Sequence, residues 1–155
     1  MAIWQFEVAL QPNKIGGDHL AAGRRPPESG QAGLFERDDE DVLRAVDEIL
    51  PRRNSWSKDL VLWGEESGNR VHAVLEAGKI AEVTARIDLR QIDDAFIAKI
   101  IEIARECDAH LQTADEQDVP AEKDRLLAAI QASESFRYVR DPQRYFGGLP
   151  STRSE

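Results

Sequence analysis

Two runs of alternating residues constrain this chain more than any other feature. Val71, Ala73 and Leu75 alternate with His72, Val74 and Glu76. Beyond Ala77-Gly78-Lys79, the residues Ala81, Val83, Ala85, Ile87 and Leu89 alternate with Glu82, Thr84, Arg86 and Asp88. A period of two with one apolar and one polar face marks an antiparallel sheet that is wet on one side. Asp93-Asp94 then opens a helix whose apolar positions are Phe96, Ile97, Ile100, Ile101, Ala104 and Cys107. The sheet has one greasy face and the helix one greasy stripe. Each needs a cover, and the other supplies it.

The rest of the chain adds to this unit. Trp4, Phe6, Val8 and Leu10 share one face of a first strand that Pro12 ends. A long Gly- and Pro-rich loop is expected over 12–34, with Arg24-Arg25 as a local basic spot. Glu36 to Asp41 heads a helix that Asp38 or Asp39 can cap, with Val42, Leu43, Val46, Ile49 and Leu50 as its stripe and Pro51 as its stop. Trp56 to Gly64 reads as a strand. Its two Trp residues face opposite sides in ideal geometry, which puts one in the core and the other in water as a candidate hot spot; burial of both, through a bulge near Trp56, is the commoner outcome. Ala109, Leu111 and Thr113 mark a last strand, and Leu126, Leu127 and Ile130 a helix that Pro120 introduces. Phe136 and Val139 belong to a docked strand or helical turn, and 150–155 to a disordered tail. The expected fold is therefore α+β: a single domain over 1–149, mainly an antiparallel sheet of about five strands, packed on one face by two to three helices.

Composition narrows the function. The 155 residues carry 29 acidic against 20 basic side chains, a formal charge of −9. An acidic surface repels phosphate backbones and attracts basic partners, so a basic protein is favoured over nucleic acid. The same acidity also serves solubility alone. No stretch is long and apolar enough to span a membrane, and the N-terminal strand is not a signal peptide, so a cytoplasmic protein is expected. The single cysteine, Cys107, forms no internal disulfide and lies on an apolar helix stripe.

Catalytic and metal signatures are missing from the pattern. His19, His72 and His110 have no ligand spacing to another His or Cys. Gly16-Gly17 lacks the lysine and following helix of a phosphate loop, and no nucleophile elbow is present. No cofactor, metal or catalytic residue is assigned. The best polar constellation is the wet sheet face, where His72, Glu82, Thr84, Arg86 and Asp88 project together. His72 is expected nearer Arg86 than Glu82. Such a face can bind an anion or do acid–base work, or be ordinary cross-strand charge pairing.

Several landmarks resemble those of small uncharacterised acidic bacterial proteins that are themselves similar to immunity proteins of toxin systems. They are Ile3-Trp4-Gln5-Phe6, Trp56-Ser57-Lys58, Trp63-Gly64, Gly68-Asn69-Arg70, Arg86-Ile87-Asp88-Leu89-Arg90, and Phe136, Val139, Asp141-Pro142 and Phe146. The resemblance implies a single α+β domain that binds a partner protein. The expected activity is then non-enzymatic: an acidic surface masks a basic toxin site, with Trp63 as aromatic anchor and Glu65, Glu66, Glu82 and Asp88 as the carboxylates. The alternative is a small ligand-binding protein or enzyme that uses the polar face around His72 and Arg86.

Overall fold

The computed structural model describes residues 3–13, 34–35 and 38–141. Most of the 12–34 loop and the whole 150–155 tail therefore lie outside the described residues, as do Arg24, Arg25 and His19. Within them the chain is a single α+β domain with seven strands in one sheet and four helices. The strands are β1 (Gln5–Pro12), β2 (Arg52–Arg53), β3 (Leu60–Gly64), β4 (Arg70–Glu76), β5 (Lys79–Asp88), β6 (Ala109–Thr113) and β7 (Asp118–Val119). The helices are α1 (Asp39–Asp47), α2 (Asp94–Glu106), α3 (Lys123–Gln131) and α4 (Glu134–Arg140). The two strands beyond the expected five are β2 and β7, each only two residues long. A two-residue strand has no periodicity to detect.

The sheet order is β2-β3-β4-β5-β1-β6-β7, with every pair antiparallel. Register fixes which residues share a face. Trp63 lies opposite Val71, Val71 opposite Ala85, Ala85 opposite Val8, and Val8 opposite Thr113. All five are buried, as are Ala73, Val83, Ile87, Phe6, Leu10, Leu111 and Val119 in the neighbouring rows. These side chains form one core cluster with Val42 and Val46 of α1, six apolar residues of α2 from Phe96 to Ala104, and Leu126 and Ile130 of α3. Helix α4 buries no residue fully, and Phe136 and Val139 rest on the rim of the core.

Local chemistry accounts for the helix ends. Asp93 caps α2, accepting from the backbone N–H of Ala95 and Phe96 at 3.0 and 3.1 Å. Asp38 stands at the N-cap of α1 but its side chain caps nothing. Asp39 instead reaches across to accept from the Ile80 backbone N–H at 2.9 Å. The acidic head of α1 thus serves a tertiary contact as well as the helix dipole.

The β4–β5 hairpin turns through Ala77 (φ 53°) and Gly78 (φ 80°). Positive φ at both central residues is the turn whose twist matches the flanking strands. Glu76 pairs with Lys79 across it, and the register then shifts between Val74 and Leu75. The shift leaves Ala81 as the extra residue of a bulge. It also brings Ile80 into the core at 3% exposure, although simple alternation groups Ile80 with the polar set.

Candidate functional site

The face turned away from the core holds the polar residues that the alternation assigned to it. One row crosses all seven strands: Arg53, Leu62, His72, Thr84, Ala9, Gln112 and Asp118. A second row reads Gly64, Arg70, Arg86 and Glu7. Glu82 pairs with Val74 beside the first row, and Asp88 with Gln5 beside the second. A shallow depression of about 390 Å³ lies on this face, with Glu7, Ala9, Glu82, Gln112 and Glu116 among its walls.

His72 and Arg86 are brought together with two carboxylates. The His72 Nε2 lies 3.9 Å from Glu82, which also accepts from the Thr84 hydroxyl at 3.0 Å. Glu82 and Arg86 lie two residues either side of Thr84, the register partner of His72. The tight Glu76–Lys79 pair alone would place Val83 opposite His72. The bulge at Ala81 moves the register by one, sets Thr84 opposite, and leaves Glu82 and Arg86 flanking His72 along the strand. Burial pushes the His72 pKa below its ordinary value of 6.5; Glu82 opposes this, Arg86 and Arg70 reinforce it, and Glu7 opposes it. The imidazole is therefore neutral near pH 7. Arg86 Nε lies 3.5 Å from a Glu7 carboxylate oxygen.

Trp63 requires a correction. It is fully buried and cannot anchor a partner. Its register position opposite Val71 turns it to the helix-covered face. There its indole N–H donates to Asp47 Oδ1 at 2.8 Å, and Arg52 stacks 5.4 Å from the ring. The exposed member of the pair is Trp56, at 86%. Residues 56–59 are not part of the strand, which begins at Leu60. Ser57 N–H donates to Ser55 Oγ at 3.1 Å, Asp59 N–H donates to Ser57 Oγ at 3.1 Å, and Ser55 Oγ donates to the Ser57 carbonyl at 2.8 Å. Two serine turns hold the loop, and Trp56 stands at its tip. The available signal was the Asn-Ser-x-Ser composition, which favours turns over strands.

The carboxylates differ in how committed they are. Glu65 and Glu66 are exposed in the β3–β4 turn, with Glu65 3.4 Å from Arg53. Glu82 is exposed on the open face. Asp88 is engaged within the chain: Arg90 donates to both of its oxygens at 3.0 Å, and the Arg90 backbone N–H donates at 2.9 Å. Arg90 also lies 4.3 Å over the Trp4 ring, and Trp4 Nε1 donates to the Ser67 carbonyl at 2.9 Å. Together with the Gln5 amide, which donates to the Glu66 and Gly68 carbonyls, these contacts fix the β3–β4 turn on the N-terminal strand.

Among the described residues no cluster of three or more His, Cys, Asp or Glu side chains is placed to hold a metal ion, and no helix is long and apolar enough to cross a membrane. Comparison with known proteins gave no matching family model, no similar curated protein and no similar solved structure.

Proposed function

We propose that this chain is a non-enzymatic protein-binding module of the immunity type, whose acidic surface masks a basic site on a toxin. The observation that carries this reading is Trp56. A large aromatic side chain is 86% exposed on a loop whose own hydrogen bonds hold it in place. Trp is among the residues that most often dominate binding energy, and a pre-ordered loop loses little entropy on docking. The chain's formal charge of −9 favours a basic partner and speeds its encounter. Glu65, Glu66 and Glu82 are the exposed carboxylates among those expected to meet that partner, and Asp88 supports the surface through Arg90.

The test is to purify the protein and challenge it with the products of neighbouring genes, scoring binding and neutralisation. The expected result is a complex with a basic protein that weakens in high salt. Trp56→Ala should weaken it by about 2 kcal/mol or more, roughly thirtyfold. Failure to bind or neutralise any such product, or an affinity indifferent to both salt and Trp56, overturns the reading.

A further inference from the structure

The polar sheet face contains one cross-strand pair that works against the fold. Arg70 and Arg86 are direct register partners on β4 and β5. Both belong to the face away from the helices, so their side chains start roughly 5 Å apart. Like charges directly opposite each other destabilise a ladder. The surroundings relieve this only in part. Glu7, on the far side of Arg86, supplies one carboxylate at ion-pair distance. Arg86 Nε is shut off from solvent and still has no hydrogen-bond partner. Arg70 makes no ion pair among the described residues, and its neighbour on the other strand is Gly64, which has no side chain. Across this row there are two guanidinium groups, one carboxylate and a position without a side chain.

We propose that Arg70 and Arg86 form a binding site for an oxyanion, a carboxylate or phosphate group of a small ligand. Guanidinium forks match the oxygen geometry of both groups, and hydrogen bonds between charged partners are the strong ones. A bound oxyanion accepts from the Arg70 donors and neutralises the like-charge pair, and its charge is felt at the neighbouring Arg86 Nε–H. Glu7 repels an anion from the β1 side. The approach is therefore from the β3 side, where Gly64 adds no competing side-chain charge and Leu62 faces His72 in the adjacent row. His72 forms the edge of the site, and an anion placed there favours its charged form. This site does not use Trp56 or the docking loop, so it stands or falls separately from partner binding.

The test is an NMR titration of the full chain that follows the Arg86 Nε–H and the His72 ring. Inorganic phosphate and succinate are added in separate arms, each against sodium chloride at matched ionic strength. The site predicts saturable shifts at both groups in at least one oxyanion arm, and a rise in the His72 pKa when the anion is bound. Phosphate alone, succinate alone or both assign the ligand chemistry, and each supports the site. Arg70→Gln should weaken binding about tenfold or more, and Arg70→Lys should fall between it and the parent. In R70Q the unliganded His72 pKa should already be higher, since Arg70 contributes to its depression. The amide spectrum checks that each variant is folded, and Arg70→Lys serves if the glutamine variant is not. No saturable shift in either arm, or shifts unchanged in R70Q or R70K, overturns the proposal.

Discussion

The Trp63 indole N–H donates to Asp47 Oδ1 at 2.8 Å, and Arg52 closes on the same carboxylate with two contacts of 3.0 Å. One side chain at the end of α1 thereby satisfies a core indole, fixes the cation of edge strand β2, and orients it over the Trp63 ring. Asp47→Ala should cost about 1–3 kcal/mol, because it leaves a buried donor without a partner. Urea unfolding followed by Trp fluorescence measures it. Burial raises the Asp47 pKa, but hydrogen bonds from Arg52 and Trp63 and the charges of Arg52 and Arg44 outweigh this and hold it below 3.8. A carboxyl depressed in the folded state contributes stability above its unfolded pKa and loses it as pH falls through the folded one. The Asp47→Ala penalty should therefore shrink in strong acid.

Two glycines separate backbone strain from steric clash. Gly64 has φ +87°, and a Cβ there would sit 2.3 Å from the Asn69 carbonyl oxygen and 2.9 Å from Leu50 Cδ1. Gly78 has φ +80° with nothing within 4 Å of such an atom. Gly78→Ala should cost about 1 kcal/mol, the left-handed penalty alone. Gly64→Ala should cost about 3 kcal/mol or more, since the strand and turn must also move. Equal costs for the two variants in denaturant unfolding would show that the close approach at Gly64 is relieved easily.

The large elements were legible because their signals are local. Helix α2 follows from Asp93 and the spacing of Phe96, Ile100, Ile101 and Ala104, and the observed span of Asp94–Glu106 differs little from it. The two faces of β5 beyond the bulge follow from alternation alone. What escaped is non-local or too short. The bulge at Ala81 arises where a tight turn and a long ladder meet, and it decides both the burial of Ile80 and the neighbours of His72. Arg70 belongs to the candidate site only because register places it against Arg86, and register cannot be read along one strand. Trp56 and not Trp63 is the exposed ring, because the serine turns lift it onto a loop and delay the strand until Leu60.

The three Trp residues should differ in their access to quenchers. Trp56 is exposed, Trp63 buried, and Trp4 intermediate beneath Arg90. Trp56→Phe should remove most of the acrylamide-accessible fluorescence while changing stability by less than about 0.5 kcal/mol, the range of a surface substitution. Trp63→Phe should do the reverse: quenching stays, and stability falls because Asp47 loses its indole donor. A Trp56 variant that unfolds at markedly lower urea would mean that the ring packs against the fold.

His72 gives stability a dependence on pH in the neutral range, and its sign follows from burial. The folded-state pKa lies below the ordinary 6.5, with desolvation as the main cause. The unfolded chain therefore binds the proton first as pH falls. No penalty exists above about pH 6.5; it grows below that value and levels off once the folded-state pKa is passed. The urea midpoint of the parent protein should drop between pH 7.5 and pH 5, and His72→Gln should flatten that part of the profile. The difference between the two profiles isolates the imidazole. Arg70→Gln should reduce the slope without abolishing it, since burial, the larger cause, is unchanged. A steeper slope in R70Q would mean that Arg70 helps His72 hold its proton, contrary to the charge arrangement on this face.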